Sequence, residues 1–338
     1  MFKFKEYIVL GFLSEERVVQ PANEEHVLAH VWNHLVGKGI VRHGVNNTNR
    51  IDKEVKEAQS NKDHPLHFSK TPTEMFRGEK KDKASYHAEL KNAANTINTW
   101  SQHKKLKKAI EGRHRARVLG AERGDVSDTW KQHNATASAT RTSKSDLAIY
   151  DPKGKESTGI NISLKKAGGS QLVAAQSKEN LALHHHAAKT MIEQHYGDKS
   201  EKEKTNIHSE VMSHAVTLSN MMREQKGKPK ADQDVIVKTG NASIKEFHKK
   251  YPHLNYHLRK EAATGMGKFN GSHHAAHFFG KISTGKGGAS INHHGDKEMD
   301  DIYNGPLPRM SIGSYPRINS KGKQVTQREG RLRLDVRK

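Results

Sequence analysis

Residues 143–171 read SKSDLAIYDPKGKESTGINISLKKAGGSQ, and their alternation decides how the chain folds. Two short apolar runs flank a Pro/Gly-containing turn, the pattern of a β-hairpin. Strands are expected at about 144–151 and 159–166. Successive side chains on a strand point to opposite faces. Leu147 and Ile149 therefore share one face of the first run, as do Ile160, Ile162 and Leu164 of the second. The other face carries Asp146, Asn161, Ser163 and Lys165. If the apolar faces coincide, Asp146 lies on the same side as Ser163 and Lys165. A polar hairpin face is ordinarily a solvated one; an acid and a lysine gathered on it also suit a metal-dependent phosphodiesterase site. That chemistry uses a hard cation held by oxygen ligands, an activated water, and a cation to offset developing charge.

Helices surround this unit. NEEHVLAHVWNHLVG (23–37) has an N-cap asparagine, acids in its first turn and an apolar stripe of Val27, Leu28, Val31, Trp32 and Leu35. Glu24 falls at the centre of that stripe by helical geometry, where an acid needs a partner; the plainer reading is a first-turn acid favoured by the helix dipole. A helical piece is expected at 50–59, a capping box at TPTE (71–74), and a long basic helix at 85–111. Further helices are expected from Ser170 to about His195, at 201–225 and at 242–251. DVIV (234–237) reads as a short strand. GRLRLDVRK (330–338) alternates Leu332, Leu334 and Val336 with charged residues and reads as a half-buried strand. The reading divides the chain into an N-terminal segment (1–20), a core at 21–200 with a helical insertion at about 50–112, and a helical, basic region at 201–338 packed on that core.

Composition bounds the partners. The 338 residues carry 58 Lys and Arg against 37 Asp and Glu, a net charge of +21, with 24 histidines besides. Such an excess points to a polyanion, nucleic acid first. Hydrophobic residues make up 33% of the chain, below the globular norm of about 45–50% that also counts glycine. A thin core with much exposed helix or loop follows. There is no cysteine, which excludes disulfides, thiolate zinc sites and cysteine nucleophiles. The most apolar stretch, YIVLGFL (7–13), is far shorter than the ~20 residues of a membrane span, and no membrane partner is expected. The histidine runs at 184–186, 273–274 and 293–294 lack zinc-site spacing, and no H-E-x-x-H occurs. GKGG (285–288) lacks the rest of a phosphate-binding loop. Glu261, in EAATGMGKF (261–269), is a remote candidate acid.

Lys165 and Lys166 are followed by Gly168, Gly169 and Ser170, and a glycine-flanked helix start seats phosphate. Gln171 then falls in the first helical turn. Here the sequence resembles the PD-(D/E)xK nuclease superfamily, in the style of its phage-borne members. An acid on one strand, sixteen residues, then S-x-K on the next, with a glutamine beyond, follows the family pattern. The resemblance covers 145–176 closely and Glu24 loosely. It implies an α/β (α+β) restriction-endonuclease-like core, a small mixed sheet flanked by helices, elaborated by the helical insertion and the basic C-terminal extension. It implies a DNA endonuclease using Mg2+ or Mn2+ on duplex DNA, working in a host cytoplasm or associated with a virion. Asp146 and Glu24 would bind metal, helped by the Leu164 carbonyl; Lys165 would position the water, with Ser163 and Gln171 in support. Lys144, Lys166, Gly168, Gly169 and Ser170 would contact nucleic acid. The sequence leaves a homodimer open. The departure is Ser163, where the family has Asp or Glu. A serine adds no charge, so the contrasting expectation is a basic DNA-binding or virion structural protein on a nuclease-like scaffold.

Overall fold

A computed structural model of the chain describes residues 24–72, 75, 82–119, 122–133, 135, 143–166, 171–284, 288–318 and 324–336. The expected N-terminal segment, Asn23, Thr73 and Glu74 of the 71–74 capping box, and Gly168, Gly169 and Ser170 lie outside them. The described residues form a mixed α+β structure with ten α-helices and two sheets. No described helix is long and apolar enough to cross a membrane.

In chain order the helices begin with α1 (Glu24–Leu35), α2 (Thr48–Ser60), α3 (Lys83–Trp100) and α4 (Lys107–Glu111). Strand β1 (Arg115–Val118) and helix α5 (Asp128–Gln132) precede the hairpin of β2 (Leu147–Tyr150) and β3 (Ser157–Lys166). Next come β4 (Gln171–Ala175) and four helices, α6 (Ser177–His195), α7 (Glu201–Glu224), α8 (Lys230–Lys250) and α9 (Leu254–Thr264). Strands β5 (Phe278–Ile282) and β6 (Ser290–His293), helix α10 (Asp300–Tyr303), and strands β7 (Arg309–Ile318) and β8 (Gln324–Asp335) complete the chain. The central sheet has the order β1-β2-β3-β5-β6, and a second has the order β4-β8-β7. β3 and β5 are parallel while the other central pairs are antiparallel. The central sheet thus takes strands from both sides of residue 200.

Register makes the hairpin's apolar faces coincide: Leu147 opposes Ile162 and Ile149 opposes Ile160. These residues, Leu164, Phe278 and Ile282 form one core with α1, α2 and α3. The opposite face is buried too. Phe279, beside Ser163 on β5, belongs to a second core built from α6 to α9 and the three-stranded sheet. The hairpin turn is held by Asp151, whose carboxylate accepts from Lys155 N (2.6 Å) and Glu156 N (3.1 Å). That is the work of a turn aspartate.

Three expectations are corrected. The basic helix at 85–111 is interrupted after Trp100. Ser101 Oγ turns back to the Asn98 carbonyl (2.6 Å) and accepts from Asn47 Nδ2 (3.2 Å), competing with helix continuation. The DVIV run is not a strand but part of α8, where Ile236 and Val237 pack on the second core. The helix expected from Ser170 starts at Ser177, and Gln171–Ala175 form β4 against β8. The edge of β8 offers residues 171–175 a ladder, while Glu179 marks the true helix start by accepting Gln176 N at 3.0 Å. Gln171 therefore sits exposed at a strand start, opposite Asp335, and not in a helical first turn.

Histidines fill interior positions. His184, His214 and His248, from α6, α7 and α8, are all buried. Burial pushes their pKa values down to about 3, 4 and 4, and mutual repulsion adds to the shift of His184 and His248. They stay neutral in the fold, whereas an unfolded histidine titrates near 6.5. Acid protonates the unfolded chain first, so stability should fall as pH drops from about 6.5 towards 3, where His184 too is protonated in the fold. Each unit of displacement corresponds to about 1.4 kcal/mol. The urea midpoint should drop sharply between pH 7.5 and 5, and His214→Phe, which keeps the stack on Phe247, should flatten that dependence. A stability independent of pH over this range would contradict the neutral cluster.

Candidate active site

Asp146 immediately precedes β2, and its backbone joins three strands' worth of chain. Its N–H donates to the Ile162 carbonyl and its carbonyl accepts from Leu119 N, both at 2.9 Å. Its carboxylate reaches across to β3: Oδ2 accepts from Leu164 N at 2.5 Å and lies 3.5 Å from Ser163 Oγ. Burial raises the Asp146 pKa, opposed by Lys165, the Leu164 N–H, Lys144 and Ser163. Asp146, Ser163, Lys165 and Lys144 are therefore brought together. The face they occupy is not the solvated face of a free hairpin, since Asn161 and Ser163 are 1% and 3% exposed.

Lys144 sits deeper than its sequence position suggests. Its Nζ donates to the Leu172 carbonyl on β4 at 3.1 Å. Burial, with Lys165 and Lys268 nearby, brings its pKa down to about 7, against the pull of Asp146 and Glu179. It borders a cavity of about 190 Å3 whose walls include Trp130, Glu179, Leu183, Glu261 and Lys268. Lys268 is buried, with its Nζ 5.1 Å from the Trp130 ring centre and 4.9 Å from that of Phe269, distances at which cation–π attraction operates. Its pKa is lowered by burial, against the opposite pull of Glu179 and Glu261.

Glu261 closes the cavity from α9. Its two oxygens accept from Gly267 N and Lys268 N, each at 2.8 Å, and His186 Nε2 stands 3.4 Å away. Burial raises its pKa; His186 and the two N–H groups oppose this. The EAATGMGKF segment is thus a carboxylate-pinned turn that presents Lys268 to the cavity. Glu179, the second acid here, has one oxygen on Gln176 N as a helix-capping group. Sequence reasoning missed Glu179 and Lys268. A helix misplaced to Ser170 puts Glu179 in mid-helix, and nothing periodic links Lys268 to the hairpin.

The remaining expected residues are placed differently. Glu24 opens α1. Lys166 ends β3 beside Ile282. Gln171 opens β4; the phosphate seat expected at 168–170 lies outside the described residues, and the element that follows it is β4, not a helix. No family model, no curated protein and no solved structure matches this chain, so the site is read from its own geometry.

Gly265 fixes the lysine from below. It caps α9 in the left-handed region (φ +62°), and a Cβ there would lie 2.6 Å from Lys144 Cγ. Gly271 has a similar φ of +68° but nothing closer than 3.9 Å. Gly271→Ala should cost about 1 kcal/mol, the left-handed backbone penalty alone. Gly265→Ala should cost roughly twice as much or more, because the lysine must also move. Equal losses in urea denaturation would show that Lys144 is not held by this contact.

Proposed function

We propose that this chain is a metal-dependent DNA endonuclease that hydrolyses phosphodiester bonds at Asp146, Ser163 and Lys165. The observation that carries the reading is the meeting of Asp146 with Ser163 and Leu164 across β2 and β3, on a buried face bordered by lysines. A mixed sheet with helices on both faces is consistent with the nuclease resemblance of residues 145–176, and the net charge of +21 suits a DNA partner.

The donor set suits a hard cation only with a second carboxylate. Asp146 and the Ser163 hydroxyl supply one charge between them. Glu24 is the expected candidate for the other; Glu179 is a second, since its charge acts on Lys144 beside Asp146. Mg2+ or Mn2+ held by Asp146 and that second carboxylate would polarise the phosphoryl oxygen and acidify a water. Lys165 orients that water and offsets charge developing on the phosphate. Lys144, poised near neutrality, holds the phosphate when protonated.

A second reading, a DNA-binding protein that does not cut, is favoured by one observation. Asp146 Oδ2 already accepts a backbone N–H, and among the described residues no three-ligand cluster forms around it. The purified chain should nick supercoiled plasmid with Mg2+ or Mn2+. Asp146→Ala and Lys165→Ala should each lose at least a hundredfold in rate while binding DNA with the same steep salt dependence. Glu179→Gln should lose more activity than Glu24→Gln if Glu179 is the second ligand. No cleavage of plasmid, linear or branched DNA under either metal, with binding unchanged by Asp146→Ala, would establish the second reading.

A further inference from the structure

We propose that His34, Glu54 and His64 form a zinc-binding site, separate from the Asp146 cluster and independent of the nuclease reading. The three residues come from α1, from α2 and from the turn that follows α2, and their ligand atoms all lie within 4.8 Å of one another. His34 Nε2 is 2.7 Å and His64 Nε2 3.1 Å from the same Glu54 oxygen, and the two rings stand 5.0 Å apart. Both imidazoles are more than nine-tenths buried, while the Glu54 side chain is 20% exposed. Two imidazoles and one carboxylate are a borderline-soft set that suits Zn2+ over Mg2+ or Ca2+, with a fourth position for water.

One local bond must be given up. Leu66 N donates to His64 Nδ1 at 3.1 Å, which places the ring proton on Nε2, facing Glu54. Ligation through Nε2 moves that proton to Nδ1 and breaks the Leu66 contact. The loss of one hydrogen bond is small against the binding free energy of zinc at well-formed structural sites, so even a much weaker site tolerates it. The bound ion would clamp α1, α2 and the 61–67 turn together. That turn is itself fastened to α3 by Tyr86 Oη donating to the Leu66 carbonyl at 2.8 Å.

The spacing explains why sequence inspection passes over the site: nineteen residues separate His34 from Glu54 and nine separate Glu54 from His64. Equilibrium dialysis of the metal-stripped full chain against Zn2+ tests it. One equivalent should bind and should raise the thermal midpoint, with EDTA reversing the rise. His64→Asn and Glu54→Gln should each weaken binding at least tenfold, and circular dichroism should show both folded. If a variant fails to fold, a Co2+ complex of the wild-type chain decides the matter, since histidine and carboxylate ligation in tetrahedral geometry gives intense visible absorption. No zinc bound at tens of micromolar, or binding unchanged in both variants, would overturn the proposal.

Discussion

The two-residue period of β3 governs this molecule. Ile162 and Leu164 enter the core shared with α1, α2 and α3, while Asn161 and Ser163, equally buried, face the layer built around α6 and α9. A slip of one residue would exchange the faces and place a hydroxyl, an amide and a lysine in the apolar core. The neighbouring strand is fitted to the same register. Gly280 pairs with Leu164, and any Cβ there would lie 2.7 Å from the Trp100 ring and 2.9 Å from Ile162 Cγ2. Trp100 in turn donates its indole N–H to the Ser290 carbonyl, fastening α3 to the far strand. A polar strip buried between two apolar cores is therefore a requirement of the packing, and Asp146 is drawn into it.

Charge inside that strip is costly, and the way it is balanced separates scaffold from site. Arg259 is fully buried yet donates to three carbonyls, of Ile302, Pro306 and Val336, fastening α9 to the end of β8. Its partners are neutral and its geometry complete, as a structural charge requires. The cavity beside Asp146 differs. Lys144 and Lys268 share it with Glu179 and Glu261, and burial drives both lysines towards the neutral form. Titratable groups held away from their ordinary charge state in a cavity mark a candidate functional site.

Where the sequence was legible, periodicity and punctuation agreed. The hairpin, α1, α2, α7 and the terminal strand each show one clean period between recognisable ends. Residues 171–175 were misread because Leu172 and Val173 suit either period, and only the ladder of β8, 160 residues later, decides between them. DVIV was misread in the other direction: β-branched residues are common in strands, but the turns before and after them continue one helix. The same limits apply to the site. Asp146, Ser163 and Lys165 are joined by strand alternation, a local rule. Glu179, Glu261 and Lys268 are joined to them only by how α6 and α9 lie against the sheet.

The histidines show why residue counts mislead in this chain. Twenty-four histidines in a basic protein invite a single explanation, yet the fold uses the side chain in at least two ways. On α6, α7 and α8 it serves as a flat, half-apolar filler: His214 lies on the Phe247 ring at 4.0 Å with near-parallel planes, and His184 keeps one ring N–H satisfied by its own helix. Protonating that cluster gains nothing, because no carboxylate is among the groups that act on it. At His34 and His64 the same side chain meets Glu54, one oxygen of which lies within hydrogen-bond reach of both rings. Burial is similar in the two places; the single acid makes the difference. In a chain without cysteine, a carboxylate set among buried imidazoles is the feature that separates a ligand set from packing.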